Sequence, residues 1–389
     1  MNALMLHNFY QQPGGEDQSF LAEVDLLRRK GHFVDTFTTH NDGIKAMNPL
    51  AVAAKTLWNR DTCRQLDALF QRTCYDIAHF QNTFPLISPA AYYVAKAYGV
   101  AVVQSLRNYR LMCVNALFFR DGRVCEDCLG KTVAWPGVLH GCYRNSRAAS
   151  AVVATMNAFH HLRGTWAHMV DVYIALTEFS KQKFIEAGLP ANKIVVKPNF
   201  LVQDPGVGAG TGNYALFVGR LTPEKGIMTL LKAWKAIGKR LPLKIVGDGP
   251  LKNEVLKASE QQEGVDWLGL QHPNQVLHLM GEACFVIFPS EWYETFGRVA
   301  IEAFAKGTPV VAANIGAIAE IVHHGKTGLL FRPSDASDFA AQVEWLLSHP
   351  NEQKQMRQAA RAEFEAKYTA AANYEMLQHI YQLAIDRAR

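Results

Sequence analysis

No stretch of this 389-residue chain reaches the roughly 18 consecutive apolar residues that a membrane-spanning helix needs. Met1 to Tyr10 lacks the basic start and long apolar run of a secretory signal, so the expected compartment is the cytoplasm. Basic residues are scattered and do not interleave with aromatics, which argues against nucleic acid as a partner. Gly247-Asp248-Gly249 lacks the three-glycine spacing of a dinucleotide fingerprint, which speaks against a nicotinamide oxidoreductase. Gly325-Lys326-Thr327 falls short of a phosphate loop, because the required leading glycine is replaced by Glu320. His160, His161, His323 and His324 lack metal-ligand spacing and read as surface or packing residues.

What is present suffices for two domains of ordinary size, since 49% of the residues are hydrophobic. Formal net charge is +5, and it is unevenly placed: residues 1–200 hold 21 Lys+Arg against 15 Asp+Glu, the remainder 19 against 20. The basic first half suits a solvated face, a groove for an acidic acceptor, or peripheral contact with anionic membrane.

Short β-rich runs alternate with helical patterns, the rhythm of parallel sheets covered by helices. NALMLHNFY, GHFVDTFTT, DIAHF, VAVVQSL, VDVYIALT and KIVVKPNF read as strands, with helices over Phe20 to Lys30, Ala90 to Tyr98 and Lys181 to Ala187. QDPGVGAGTGN, from Gln203 to Asn213, reads as a flexible linker. The pattern then restarts with YALFVGR, LPLKIVGDGP, VDWLGL, CFVIFPS and TPVVAAN, and helices over Gly226 to Ile237 and Leu251 to Glu260. The expected domains are residues 1–198 and 199–371, with an amphipathic C-terminal helix over about 372–389 packing back on the first. Doubly wound sheets place ligands at their strand C-terminal ends, which makes a cleft between the two domains the default site.

The chemistry concentrates in two segments. In ETFGRVAIEAFAKGTPVVA the apolar positions Val299, Ala303 and Phe304 open a helix near Phe296 to Arg298, whose first backbone N–H groups favour an anion. Glu294 stays in the preceding loop and Glu302 lies inside the helix; carboxylates only accept, so they suit sugar and ribose hydroxyls. In FVGRLTPEKG, Gly219, Arg220 and Lys225 follow a strand directly, where two cations suit a diphosphate. Gly14 and Gly15, after the first strand, form a turn able to pass close to phosphates. The bland counterparts are a solvated helix face, a basic loop and a plain turn.

With LHNFYQQPGGEDQSF and the IVGDGP turn, these motifs resemble the retaining glycosyltransferases of family 4 over nearly the entire chain. The resemblance implies an α/β GT-B fold, two Rossmann-like doubly wound domains facing a cleft. It also implies transfer of a sugar, with retained configuration, from a nucleotide-diphosphate donor such as a UDP-sugar to a saccharide or lipid-linked acceptor, without a catalytic metal or other cofactor. By it Arg220 and Lys225 hold the diphosphate, Glu302 the ribose and Glu294 the transferred sugar, with backbone N–H groups of Phe296, Gly297, Arg298 and Val299 completing the contacts; Gly14, Gly15 and Gly219 line the donor. The family has a strand-end histidine where this chain has Arg107, and often a second where it has Gln81, while His79 is kept. Arg107 cannot take up a proton as imidazole does, though it still hydrogen-bonds sugar or phosphate. Two alternatives stay open: a non-catalytic nucleotide-sugar-binding protein, and another GT-B enzyme such as a sugar-nucleotide epimerase.

Four of the seven cysteines, Cys113, Cys125, Cys128 and Cys142, cluster in the first half; the Cys125-Glu-Asp-Cys128 gap is that of zinc knuckles, which makes a structural zinc the expectation and reduced thiols the alternative. Cys63, Cys74 and Cys284 read as core.

Overall fold

The computed structural model describes residues 1–12 and 14–389. The chain divides into two compact units: Met1–Phe118, Glu126–Asn199 and Asn373–Arg389 form the first, Phe119–Cys125 and Phe200–Ala372 the second.

The first unit is built on six strands: β1 (Asn2–Phe9), β2 (Phe33–His40), β3 (Ile77–Asn82) and β4 (Ala101–Leu106), then, past a two-stranded hairpin of β5 (Phe119–Arg120) and β6 (Arg123–Val124), β7 (Val172–Ala175) and β8 (Ile194–Val196). They lie in the order β2-β1-β3-β4-β7-β8, all paired parallel. β3, β4 and β7 are buried at every position; β7 is accordingly apolar throughout, whereas β3 and β4 bury polar residues, His79, Gln81 and Gln104 among them, toward their C-terminal ends. Along the core, Phe20, Val24 and Leu27 of the helix Gly15–Arg29 pack with Met5, Val103 and Ile174 of the sheet. The C-terminal helix Ala370–Ala388 contributes Leu377, Ile380, Tyr381 and Ala384 to the same core, its apolar stripe lying at helical spacing.

In the second unit β9 (Ala215–Val218), β10 (Leu243–Val246), β11 (Val265–Gly269), β12 (Phe285–Phe288), β13 (Val310–Ala313) and β14 (Gly328–Phe331) form an all-parallel sheet in the order β11-β10-β9-β12-β13-β14. Its core joins Phe217, Ile245 and Ile287 of the strands to Trp234, Phe339 and Val343 of the flanking helices.

Several local expectations need correction. The first helix begins at Gly15, not Phe20, because the Asp17 carboxylate reaches back to the Gly14 N–H at 3.0 Å and caps the earlier turn. Gln203 to Asn213 is a pinned strap: Gly208, Gly210 and Gly212 donate to Lys306, Gly281 and Glu282 carbonyls at 2.9 Å, and Arg361 holds Asp204. A Cβ on Gly208 would stand 2.2 Å from the Gly281 Cα, so its glycine serves close approach. Cys74 is exposed, lying after the helix Arg60–Arg72 and before β3, and Cys63 and Cys284 are only partly buried.

Candidate functional site

In the second unit, three strand-end loops meet. A Cβ on Gly247 (φ +141°) would fall 1.9 Å from the Gly219 carbonyl oxygen, so the turn after β10 touches the turn after β9 only because residue 247 is glycine. The same contact continues as Leu221 N–H donating to the Asp248 carbonyl at 2.9 Å. Gly226, at φ +70°, lies against the loop after β12: its Cβ would stand 1.9 Å from the Pro289 carbonyl oxygen. Glu291 N–H donates to the Glu224 carbonyl at 2.8 Å, tying the two loops.

That junction sets Lys225 on Glu294. The ammonium donates to Glu294 Oε1, which also accepts from Ser290 Oγ at 3.0 Å and Trp292 Nε1 at 2.9 Å. The Lys225 Nζ stands 5.6 Å from the ring centres of both Phe288 and Trp292, an aromatic flank that holds the cation in place. Arg220 is exposed.

The helix Arg298–Ala305 starts at Gly297, which provides no side-chain cap. Phe296 is buried edge-on against Tyr368, at 6.1 Å between ring centres, and anchors the chain entering the helix; Val299 is half-buried. Arg298 Nε donates to Glu302 Oε1 at 3.0 Å across one helical turn. Burial pushes the Glu302 carboxyl up, and Arg298 opposes the shift. The Arg298 Nη1 is buried with no partner.

Gly14 and Gly15 have nothing within 4 Å of where a Cβ would stand, so this turn is open on its outer side. Asp17, besides capping Gly14, accepts from His7 Nε2 at 2.7 Å.

Arg107 lies in a buried cluster that motif reading missed. Its Nε donates to Gln81 Oε1, its Nη1 to Asn199 Oδ1 at 2.7 Å and its Nη2 to Glu23 Oε1 at 3.0 Å. Lys197 Nζ donates to the same Glu23 oxygen at 2.8 Å and to Asn373 at 3.2 Å. Burial would raise the Glu23 carboxyl, but Lys197 and Arg107 outweigh it and hold it at about 2. His79 is hydrogen-bonded to Ser105 at 2.9 Å and Tyr381 at 2.8 Å, and burial chiefly lowers it to about 3. The available signal was Glu23 standing on the apolar stripe of Phe20, Val24 and Leu27, where an acid needs a cation.

The expected four-cysteine zinc set is not assembled: among the described residues no group of three or more His, Cys, Asp or Glu is placed to hold a metal ion. Cys113 Sγ instead donates to Asn115 Oδ1 at 3.0 Å, and Cys128 Sγ lies 3.9 Å from the Ala134 carbonyl oxygen. Nor is any helix, among the described residues, long and apolar enough to cross a membrane.

Residues 204–363 match the family model for glycosyl transferases group 1. An uncharacterized glycosyltransferase of Methanocaldococcus jannaschii is 30% identical over 201 residues, 51% of this chain and 56% of that protein. The chain spans about half or less of the length of the first curated relatives it matches. Among solved structures, sucrose-phosphate synthase from Thermosynechococcus elongatus superposes with a TM-score of 0.71 at 17% identity, covering 98% of this chain and 99% of that one. HepE from Anabaena in complex with UDP and glucose gives 0.64 at 19% identity, covering 97% and 98%. Two parallel six-stranded sheets with flanking helices match these neighbours, so the fold is GT-B as expected.

Proposed function

We propose that this chain is a retaining glycosyltransferase that moves a sugar from a nucleotide-diphosphate donor, a UDP-sugar, to a hydroxyl of a saccharide or lipid-linked saccharide in glycan assembly. The observation that carries the reading is the pairing of Lys225 with Glu294 beside the N-terminus of the Arg298–Ala305 helix, inside the matched 204–363 segment. Lys225, Arg220 and the helix N-terminus at Gly297 supply positive potential for the departing diphosphate, and Glu294 and Glu302 supply acceptors for sugar and ribose hydroxyls.

The step is a front-face displacement. The acceptor hydroxyl attacks the anomeric carbon on the side from which the diphosphate leaves, the carbon–oxygen bond to the diphosphate breaks, and a phosphate oxygen takes the proton. It needs no protein base and no metal. The work takes place in the cytoplasm, with the basic first half resting on an anionic membrane surface. Neutralising basic residues of that half reduces liposome binding; unchanged binding refutes the membrane contact.

Thermal-shift screening over nucleotide sugars tests the donor, because a ligand that binds only the folded protein raises its apparent stability with the logarithm of concentration over Kd. Transfer of label from the stabilising donor to a saccharide acceptor, with unchanged anomeric configuration, is expected. Conversion of the donor alone would instead indicate an epimerase, and donor binding without any turnover a binding protein.

A further inference from the structure

Between Asp127 and Asp171 the chain carries no acidic residue, while Lys131, Arg144, Arg147 and Arg163 supply four of the six excess positive charges of residues 1–200. The whole run belongs to the first unit. Within it the short helix Trp135–Leu139 packs on the helix Arg147–Leu162. Pro136 and Gly137 are buried, a Cβ on Gly137 would stand 2.5 Å from Val114 Cγ2, and Val138 packs with the cluster of Val153 and Ala154. These residues form the inner side.

Trp135 and Leu139, four residues apart, share another face of the helix, and they are 56% and 52% exposed. Val133, 49% exposed, stands beside them, its carbonyl accepting from the Trp135 N–H at 2.8 Å. Single exposed apolar side chains are ordinary on a protein surface, but three within seven residues make a patch that something covers.

The cations around this patch are unneutralised. Lys131 is exposed two residues before Val133, and Arg144 and Arg147 are exposed just after the helix. Arg147 Nε donates to the Leu139 carbonyl at 3.0 Å, and the Arg144 guanidinium lies 5.5 Å from the ring centre of Tyr143. Among the described residues none of the three is in an ion pair. Arg163 takes no part, since it lies over Trp58 and Tyr93 at 5.1 and 5.2 Å from their ring centres. Of the acids closest by, Glu186 lines a cavity with Lys131 but pairs with Lys183 at 2.9 Å, and Lys183 also holds Glu126 at 2.9 Å. Asp127, exposed, bounds the run on its N-terminal side.

We propose that Val133, Trp135 and Leu139 insert into the surface of an anionic lipid bilayer, with Lys131, Arg144 and Arg147 meeting its headgroups. Tryptophan with leucine, flanked by cations and free of acids, has the composition of segments that lie in a membrane interface. A second copy of the chain fits this face poorly, because a two-fold contact sets like patches against each other and so brings cation to cation. The inference makes specific the membrane contact proposed above, and it does not depend on sugar transfer.

The test uses the full chain with vesicles of phosphatidylcholine alone and of phosphatidylcholine mixed with phosphatidylglycerol, followed by co-sedimentation. Binding to the mixed vesicles only is expected. Trp135→Ser with Leu139→Ser weakens it about 10-fold or more, as lost apolar burial does. Lys131→Gln and Arg144→Gln each weaken it about 5-fold. All four positions are exposed, so an unchanged thermal unfolding midpoint confirms that the variants fold. Acyl-chain-brominated lipid quenches tryptophan fluorescence on contact, and Trp135→Phe, which keeps the binding, removes most of that quenching. Undiminished vesicle binding in the serine double variant, or undiminished quenching in Trp135→Phe, overturns the proposal. If neutralising other basic residues of the first half then abolishes vesicle binding, the general membrane contact survives without this helix. No vesicle binding by the wild type removes both; a dimer lost on the serine substitutions would then identify a second copy as the occupant, and binding of polyglutamate an acidic protein surface. Vesicle binding that depends on Trp135, in a protein that transfers no sugar, refutes the transferase reading and leaves this one standing.

Discussion

Arg107 Nε donates to the carboxamide oxygen of Gln81, and both side chains also donate to the Glu23 carboxylate, Gln81 Nε2 at 2.5 Å and Arg107 Nη2 at 3.0 Å. The two positions therefore form one buried arrangement. Arg107→His leaves Glu23, 1% exposed, with Lys197 as its remaining fixed cation, and is expected to destabilise the fold by about 3–5 kcal/mol. Combined with Gln81→His, the two costs depart from additivity by about 0.5–3 kcal/mol. Urea unfolding of the two single variants and the double variant measures this; simple addition would show that the positions act independently.

Acid should unfold the protein through the same cluster. Glu23 is held at about 2 in the fold, below its ordinary 4.5, so it adds stability above its unfolded pKa, a contribution lost as pH falls toward 2. His79 works in the same direction: the unfolded imidazole binds a proton near 6.5, while the buried one stays neutral down to about 3. Unfolding thus takes up a proton between those values, and His79 alone contributes a slope of up to about 1.4 kcal/mol per pH unit. His79→Asn, which removes the titration, should flatten the decline of stability between pH 6 and 4.5. A slope identical to wild type would exclude His79 as its source.

Lys225 and Glu294 are hydrogen-bonded partners, so their variants report on one unit. Lys225→Ala is expected to lower turnover about 100- to 1000-fold while loosening nucleotide binding far less. Glu294→Ala should weaken the sugar nucleotide and spare the free diphosphate. Adding the second substitution to the first costs much less than it does alone. Initial rates and calorimetric affinities for the three proteins decide it, and equal losses in turnover and affinity would make Lys225 a binding residue only.

Glu302 is pushed toward its neutral form by burial and held back by Arg298. Arg298→Gln should let the carboxyl rise further, so that the acid loss of nucleotide affinity moves to higher pH. Affinity for UDP measured from pH 5 to 8 checks this, and an unmoved acid limb would separate Glu302 from the nucleotide.

Gly226→Ala forces a Cβ onto the Pro289 carbonyl oxygen at a backbone angle that L residues rarely adopt. A loss of at least about 1 kcal/mol is expected, with displacement of Lys225 next to it. Thermal unfolding and turnover are the readouts; unchanged values in both would mean that the junction has slack.

Strand runs such as VDVYIALT and CFVIFPS were legible because a strand buried on both faces tends to be apolar throughout, and the helix at Arg298 was legible from its 3.6-residue spacing. The glycines at 219, 226 and 247 were readable as punctuation, but which backbone each one admits required the packed loops. The helix Arg60–Arg72 escaped notice even though it carries a single buried stripe of Thr62, Leu66 and Phe70 and an Asn59 cap.

Local order along the chain determined the alternation of strand and helix, the positions of the two motif loops and the amphipathic character of the last helix, because each depends on neighbours within a few residues. Only the tertiary structure decided that Glu23, Gln81, Arg107 and Lys197 share one buried charge network, that the glycine-rich strap is pinned, and that among the described residues no three cysteines gather to hold a metal ion. The reason is physical: burial and long-range pairing set the energy of a charge or a thiol, and sequence spacing carries neither.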